Sequence, residues 1–293
     1  MITYDELMAR RRVSQRHSYN AEMAQLYALG VGMGMDPRDE RQIDFVLEDR
    51  LKVLPSFASV AVWDIEFKLE LGVEWSKLIH ASQRMQSFAP LPPSAELIAD
   101  SRFVAAFDKP AINATLLISE VAVSDATSGE RLAVMEHVSL ARDFRVVGAP
   151  EGSPKPMSPP PTREPDGEVH LRTSPQVALI YRLLGGRSRI HSHPGDARAQ
   201  GFDGPIMHGL STWGHACHVI LAEACDYDPA RLTAFSADFK APVYPGETLT
   251  LRLWHEGQAV YFEAIAAERG VLVLGNGNAM ISTPPANRLA VGQ

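Results

Sequence analysis

The sequence predicts an α+β protein of two tandem halves, each an antiparallel sheet wrapped around one long helix. Three observations carry that prediction. A proline-rich segment lies near the middle of the 293-residue chain, strands of period two occur in both halves, and each half has one strong helix. At about 150 residues per domain, the length suits two domains. The expected boundaries are 1–147 for the first half, 148–168 for a linker and 169–293 for the second half.

The elements follow in chain order. The opening Met1-Ile-Thr-Tyr-Asp-Glu-Leu-Met-Ala-Arg-Arg-Arg places charges where a signal peptide needs an apolar run. Ala21–Leu29 is helical in composition, and Gly30-Val-Gly-Met-Gly34 reads as a helix C-terminus and turn, without the spacing of a dinucleotide fingerprint. Asn113–Val123 and Arg131–Leu140 read as strands. Gly148–Glu168 is so rich in proline that it lacks backbone donors and favours extended geometry. In the second half Leu210, Trp213, Cys217, Ile220, Leu221 and Ala224 form an apolar stripe at helical spacing. Leu249, Leu251 and Leu253, then Val260, Phe262 and Ala264, alternate with polar neighbours, and Val271–Leu274 is a further short strand. Phe88-Ala-Pro-Leu-Pro-Pro-Ser-Ala-Glu-Leu97 resembles Phe239-Lys-Ala-Pro-Val-Tyr-Pro-Gly-Glu-Thr-Leu249, so the halves look alike.

Composition excludes several classes. Apolar residues make up 45% and charged residues 22%, which suits a folded globular chain rather than a disordered one. The net charge of −7 argues against a nucleic-acid binder, so an anionic ligand must find a local basic patch. Cys217 and Cys225 are the only cysteines and share one helix, which leaves no disulfide framework and points to a reducing cytoplasm. No stretch approaches the roughly 18 apolar residues of a membrane helix, and the final Ala-Val-Gly-Gln is no recognisable address.

The densest stretch is Tyr181-Arg-Leu-Leu-Gly-Gly-Arg-Ser-Arg-Ile-His191, followed by Gly201-Phe-Asp-Gly-Pro-Ile-Met-His208-Gly209-Leu-Ser-Thr-Trp. It resembles the MaoC-like, hydratase-2 type (R-specific) enoyl-CoA hydratases, which are double hot-dog proteins. Their pattern is roughly Tyr-Arg-Leu-Ser-Gly-Asp-x-Asn-Pro-Leu/Ile-His, then Ala-x-x-x-Gly-Phe-x-x-Pro-Ile-Leu-His-Gly-Leu. Further similarity lies in Leu26–Gly32, Asp36–Glu40, Phe45–Glu48, Leu51–Phe57 and Lys240–Glu247, so it spans about residues 19 to 282. The resemblance implies a second half that carries catalysis and a first half that accommodates the acyl chain without a catalytic loop. It also implies reversible addition of water to a trans-2-enoyl-CoA. His191 then falls on the acid/base histidine, and the Gly209 N–H at the helix start becomes the oxyanion donor. Such a reaction needs no metal and no redox cofactor, with coenzyme A as part of the substrate. A homodimer is the expected assembly.

One departure bears on the chemistry. The family's catalytic Asp, five residues before the His, is Gly186 here, while Ser188 and Arg189 replace Asn and Pro. Glycine carries no proton. Asp196 and His193 are the candidates for the missing partner, with Ser188 in support, whereas Asp203 reads as a turn residue. Alternatively the site binds a CoA thioester with little turnover, as one subunit of a hetero-oligomer, or it hydrolyses the thioester. Arg187, Arg189 and Lys240 are candidates for the CoA phosphates, which arginine meets bidentately. His80 reads as structural. His215 and His218, three apart on one helix, lack a third ligand at a telling distance, so no metal is expected.

Overall fold

The structure is a computed structural model that describes residues 2–283; the end of the second-half range, 284–293, lies outside the described residues. Ten strands form one large sheet. The first half supplies β1 (Arg11–Tyr19), β2 (Leu78–Ser87), β3 (Ala95–Lys109), β4 (Ala114–Asp125) and β5 (Arg131–Arg142). The second half supplies β6 (Gly167–Arg172), β7 (Leu232–Phe239), β8 (Thr248–Glu256), β9 (Ala259–Ala266) and β10 (Val271–Ile281). Their order is β1-β3-β4-β5-β2-β7-β10-β9-β8-β6. Read from either edge to the centre, both halves use the same sequence of strands, so the faint likeness of the Pro-rich segments reflects a real duplication of topology. The halves join where β2 and β7 pair antiparallel, with Arg84 opposite Ser236.

The strand Val271–Leu274 is longer than its apolar run suggests. It continues through Gly275-Asn-Gly-Asn278 to Ile281, with irregular pairing to β9 and β7. Gly277 explains the break in pattern: a Cβ there would lie 2.5 Å from the Phe262 carbonyl oxygen. Glycine marks the close approach of a neighbouring strand here, not the end of a strand.

Two helices occupy the interior, α1 (Ala21–Gly30) and α2 (Gly209–Cys225). α1 starts at Asn20, whose side chain accepts from the Met23 N–H. It ends in the turns at Gly32 and Gly34, both at positive φ. α2 is closed by Asp226 in the left-handed region. The predicted stripe understates its burial, because every residue from Leu210 to Leu221 is buried. Trp213 packs on Phe235 at 4.9 Å between ring centres, and Phe235 on Phe262 at 5.2 Å. Each such ring contributes roughly 1.5–3 kcal/mol through burial. His215 and His218 are buried too, their Nδ1 atoms facing the carbonyls of Ser211 (2.7 Å) and Val31 (3.1 Å). Cys217 and Cys225 are free and buried. The proline-rich segment runs along the sheet: Lys155 and Arg163 carbonyls accept from Arg84 and Trp254. β6 begins at Gly167, inside the range read as linker.

The first half has the shorter helix, ten residues against seventeen. The short helices Ala58–Ala61 and Glu66–Leu69 stand beside the inner face of β3, β4 and β5, and a cavity of about 520 Å³ remains between them and that face.

Gly214 shows how closely the two helices pack. A Cβ there would lie 2.6 Å from the Tyr27 hydroxyl and 2.7 Å from Val31. Gly214→Ala is therefore expected to destabilise the protein by about 1–3 kcal/mol. Gly167→Ala, with nothing within 4 Å of the added atom, should stay within about 0.5 kcal/mol of the parent. Equilibrium denaturation of both variants measures the difference.

Candidate active site

The segment that carries the candidate site is held by its backbone and by two glycines. After the short helix Val177–Tyr181 the chain turns at Gly185, at a φ of 122°. It forms a single turn at Arg189–His191, then the short helix Pro194–Ala199. A second turn at Gly201 returns it towards Ile206, whose N–H donates to the Ile190 carbonyl at 3.3 Å. Met207 N–H donates to Val243, and α2 begins two residues later at Gly209.

This path brings His191, His208 and Gly209 to one wall of the cavity. His191 Nδ1 lies 2.9 Å from the Ile206 carbonyl oxygen. A carbonyl only accepts, so Nδ1 carries the hydrogen and Nε2 keeps a lone pair. His208 is arranged in the opposite sense. Its Nε2 lies 2.7 Å from the Gly186 carbonyl oxygen and must donate. Its Nδ1 is buried and has no hydrogen-bond partner among the described residues. The two rings stack with centres 3.8 Å apart. Burial lowers the pKa of His191, against the pull of the Ile206 carbonyl. Burial first, then repulsion from His191, lowers His208 to about 3. Both rings are therefore neutral at neutral pH; His191 keeps Nε2 as an acceptor, whereas the acceptor nitrogen of His208 is enclosed.

Helix α2 adds the complement. His208 occupies its N-cap but makes no side-chain cap bond, so the first N–H groups are free for a ligand. Gly209 sits against Phe239: a Cβ would lie 3.3 Å from that ring. Tyr181 lines the same cavity, its ring 4.9 Å from His208, and its hydroxyl has no partner among the described residues.

The other sequence-derived candidates fall in different places. Ser188 and Gly186 line the cavity. His193 does not; its ring is exposed and accepts from the Asp196 N–H as the N-cap of Pro194–Ala199. Asp196 is paired with Arg189, which answers both residues' charge outside the cavity. Neither can stand in for the absent carboxylate from there. Arg187 is exposed without an ion pair among the described residues. Lys240 lines the cavity and is held by Asp238 at 2.8 Å. His80, read as structural, also faces the cavity.

The residue that sequence reasoning passed over is His208. Its signal was the glycine at 186. A Cβ on Gly186 would lie 2.8 Å from His208 Cδ2 and 2.9 Å from Nε2. The imidazole thus fills the space that any side chain at 186 would claim. Gly186→Ala is expected to displace that ring and lower turnover about 10²-fold, the usual size of an ångström-scale misplacement. Steady-state kinetics of the purified variant checks it.

Residues 17–143 match the MFE-2 hydratase 2 N-terminal domain and residues 156–276 the MaoC like domain. The chain is 35% identical to "Enoyl-CoA hydratase ChsH3" of Mycobacterium tuberculosis over 89% of this chain and 92% of that protein. It is 33% identical to "Enoyl-CoA hydratase 2, peroxisomal" of Arabidopsis thaliana, over 92% and 93%. A MaoC-like dehydratase from Phytophthora capsici superposes with a TM-score of 0.82 at 24% identity, over 96% of this chain and 99% of that one. Among the described residues, no helix is long and apolar enough to cross a membrane.

Proposed function

The chain belongs to the MaoC-like, hydratase-2 type enoyl-CoA hydratase family, and from that premise we propose that it adds water reversibly across the double bond of a trans-2-enoyl-CoA, giving the (R)-3-hydroxyacyl-CoA. The observation that carries this reading is the cavity wall shared by His191, His208 and Gly209.

In this reading the thioester oxygen rests at the start of α2. Negative charge grows on that oxygen as water attacks C3, and the Gly209 N–H and the helix dipole stabilise it. His191 Nε2 takes one proton from the water, the water oxygen bonds to C3, and the C2–C3 π pair moves toward the thioester. The resulting imidazolium returns the proton to C2, so one side chain serves both steps. The His208 ring, held by the Gly186 carbonyl and stacked on His191, fixes the orientation of the His191 imidazole in this scheme. No metal and no redox cofactor enters this scheme. Lys240 at the cavity and Arg187 on the loop are the cations we place near the CoA phosphates.

Purified protein with crotonyl-CoA tests the reading. Loss of the enoyl absorbance without free thiol is the expected result. Thiol release identifies hydrolysis instead, and binding with neither change identifies a non-catalytic acyl-CoA binder. His191→Ala should cost about 10²- to 10⁴-fold; an unchanged rate removes His191 from the mechanism.

The pH dependence has a definite sign. Hydration needs the neutral imidazole, and burial holds the His191 pKa below 6.5. kcat/KM should therefore be level through neutral pH and fall only on the acid side, below 6.5. A limb above that value, measured with crotonyl-CoA, contradicts the assignment.

A further inference from the structure

The far side of the cavity lies over the inner face of the first-half sheet, and its chemistry does not suit a plain hydrocarbon tail. Ser101 on β3, Ser119 on β4 and His137 and Ser139 on β5 all line it, together with His80 on β2. They are register neighbours: Ser119 pairs with His137, and His80 with Ser139. Elsewhere on these strands, Leu97, Ala99 and Val123 supply apolar side chains to the main core, while Val121 and Met135 line the cavity beside the polar row. Ser101, Ser119, Ser139 and His137 are buried, at 4%, 1%, 2% and 7% exposure. None makes a side-chain hydrogen bond among the described residues, and His80 Nε2 is buried without a partner. A row of buried donors turned into a cavity, unsatisfied by protein, calls for a polar ligand.

A cation completes the row. Lys68, on the short helix Glu66–Leu69, lines the same space and makes no ion pair among the described residues. Its nearest carboxylate, Asp64, is engaged by Arg12 at 2.7 Å. The two histidines meet Lys68 as neutral rings: burial and then the Lys68 charge lower His80 to about 3 and His137 well below its ordinary value. Burial lowers Lys68 itself only to about 8, so it stays mainly a cation at neutral pH. His80 also lies 4.8 Å from the Phe239 ring that touches Gly209, which links this cluster to the thioester end of the cavity.

We propose that the acyl group of the substrate ends in a carboxylate, received by the Lys68 ammonium and by donors from His80, His137, Ser119 and Ser139. The inference rests on the hydratase reading for which end of the substrate is the acyl tail. It adds a substrate class to that reading: acyl-CoA thioesters with an anionic group on the tail.

Paired ligands of equal length test it. Octanoyl-CoA, suberyl-CoA and the methyl ester of suberyl-CoA are titrated calorimetrically into the full-length protein, and kcat/KM is measured for the matching trans-2-enoyl-CoAs. The carboxylate-ended ligand is expected to bind at least about tenfold tighter than both others, the size of one charge-assisted hydrogen bond. Lys68→Met should bring that ratio close to one, and Lys68→Arg should keep most of it. Equal binding of the three ligands by the parent protein overturns the proposal. So does a Lys68→Met variant that weakens all three alike, because the ammonium then serves CoA itself. The binding arm needs no turnover. Selective binding without hydration of any enoyl-CoA, crotonyl-CoA included, sinks the hydratase reading and supports this one.

Discussion

A helix buried on every side must still satisfy the N–H groups of its first turn, and α2 does so by opening onto a cavity. From Leu210 to Leu221 the helix has no exposed face, and its N-cap side chain points to Gly186 instead of back to the helix. Water or a ligand must therefore meet the free N–H groups at Gly209. The duplicated sheet exists around that requirement: it closes on the helix flanks and leaves the N-terminal end accessible. The placement of those N–H groups at the cavity is thus a consequence of how the core is built.

The imidazole pair follows from a missing side chain. With a carboxylate at 186, His208 could not occupy its observed place, since even a Cβ there lies within 3 Å of the ring. With glycine, the ring moves against the Gly186 carbonyl and stacks on His191. Two neutral rings tolerate that contact, whereas two imidazolium ions would repel. Each ring spends its N–H on a backbone carbonyl, which fixes both tautomers.

In the first half the same logic works by subtraction. A helix of ten residues leaves part of the sheet's inner face without a protein cover, and the strands there carry serine and histidine among aliphatic side chains such as Val121 and Met135. Their burial without protein partners would be costly if a hydrocarbon filled the space. The polarity of that wall and the unpaired Lys68 belong together, because a cation and neutral donors jointly suit an anion.

The architecture was legible along the chain. Period-two runs, two apolar helices and a proline-rich crossing segment depend on neighbours in sequence, and so does the motif that ends at His191. Legibility failed where a residue's role depends on segments far apart. Gly275 to Asn278 lack a strand signature, yet they pair because Phe262 lies across from Gly277. His193 and Asp196 were near His191 in sequence, but the turn at Arg189–His191 carries them outward to cap a helix and hold an arginine. His208 is twenty-two residues from Gly186, and only the return of the chain sets one against the other. Lys68, His80 and His137 come from a short helix and two strands. What the sequence alone determined was the fold and the motif that ends at His191, since both are written in local pattern. Which side chain lies against Gly186, and which residues line the first-half end of the cavity, the tertiary structure decided, because side-chain space and charge balance are properties of packed neighbours.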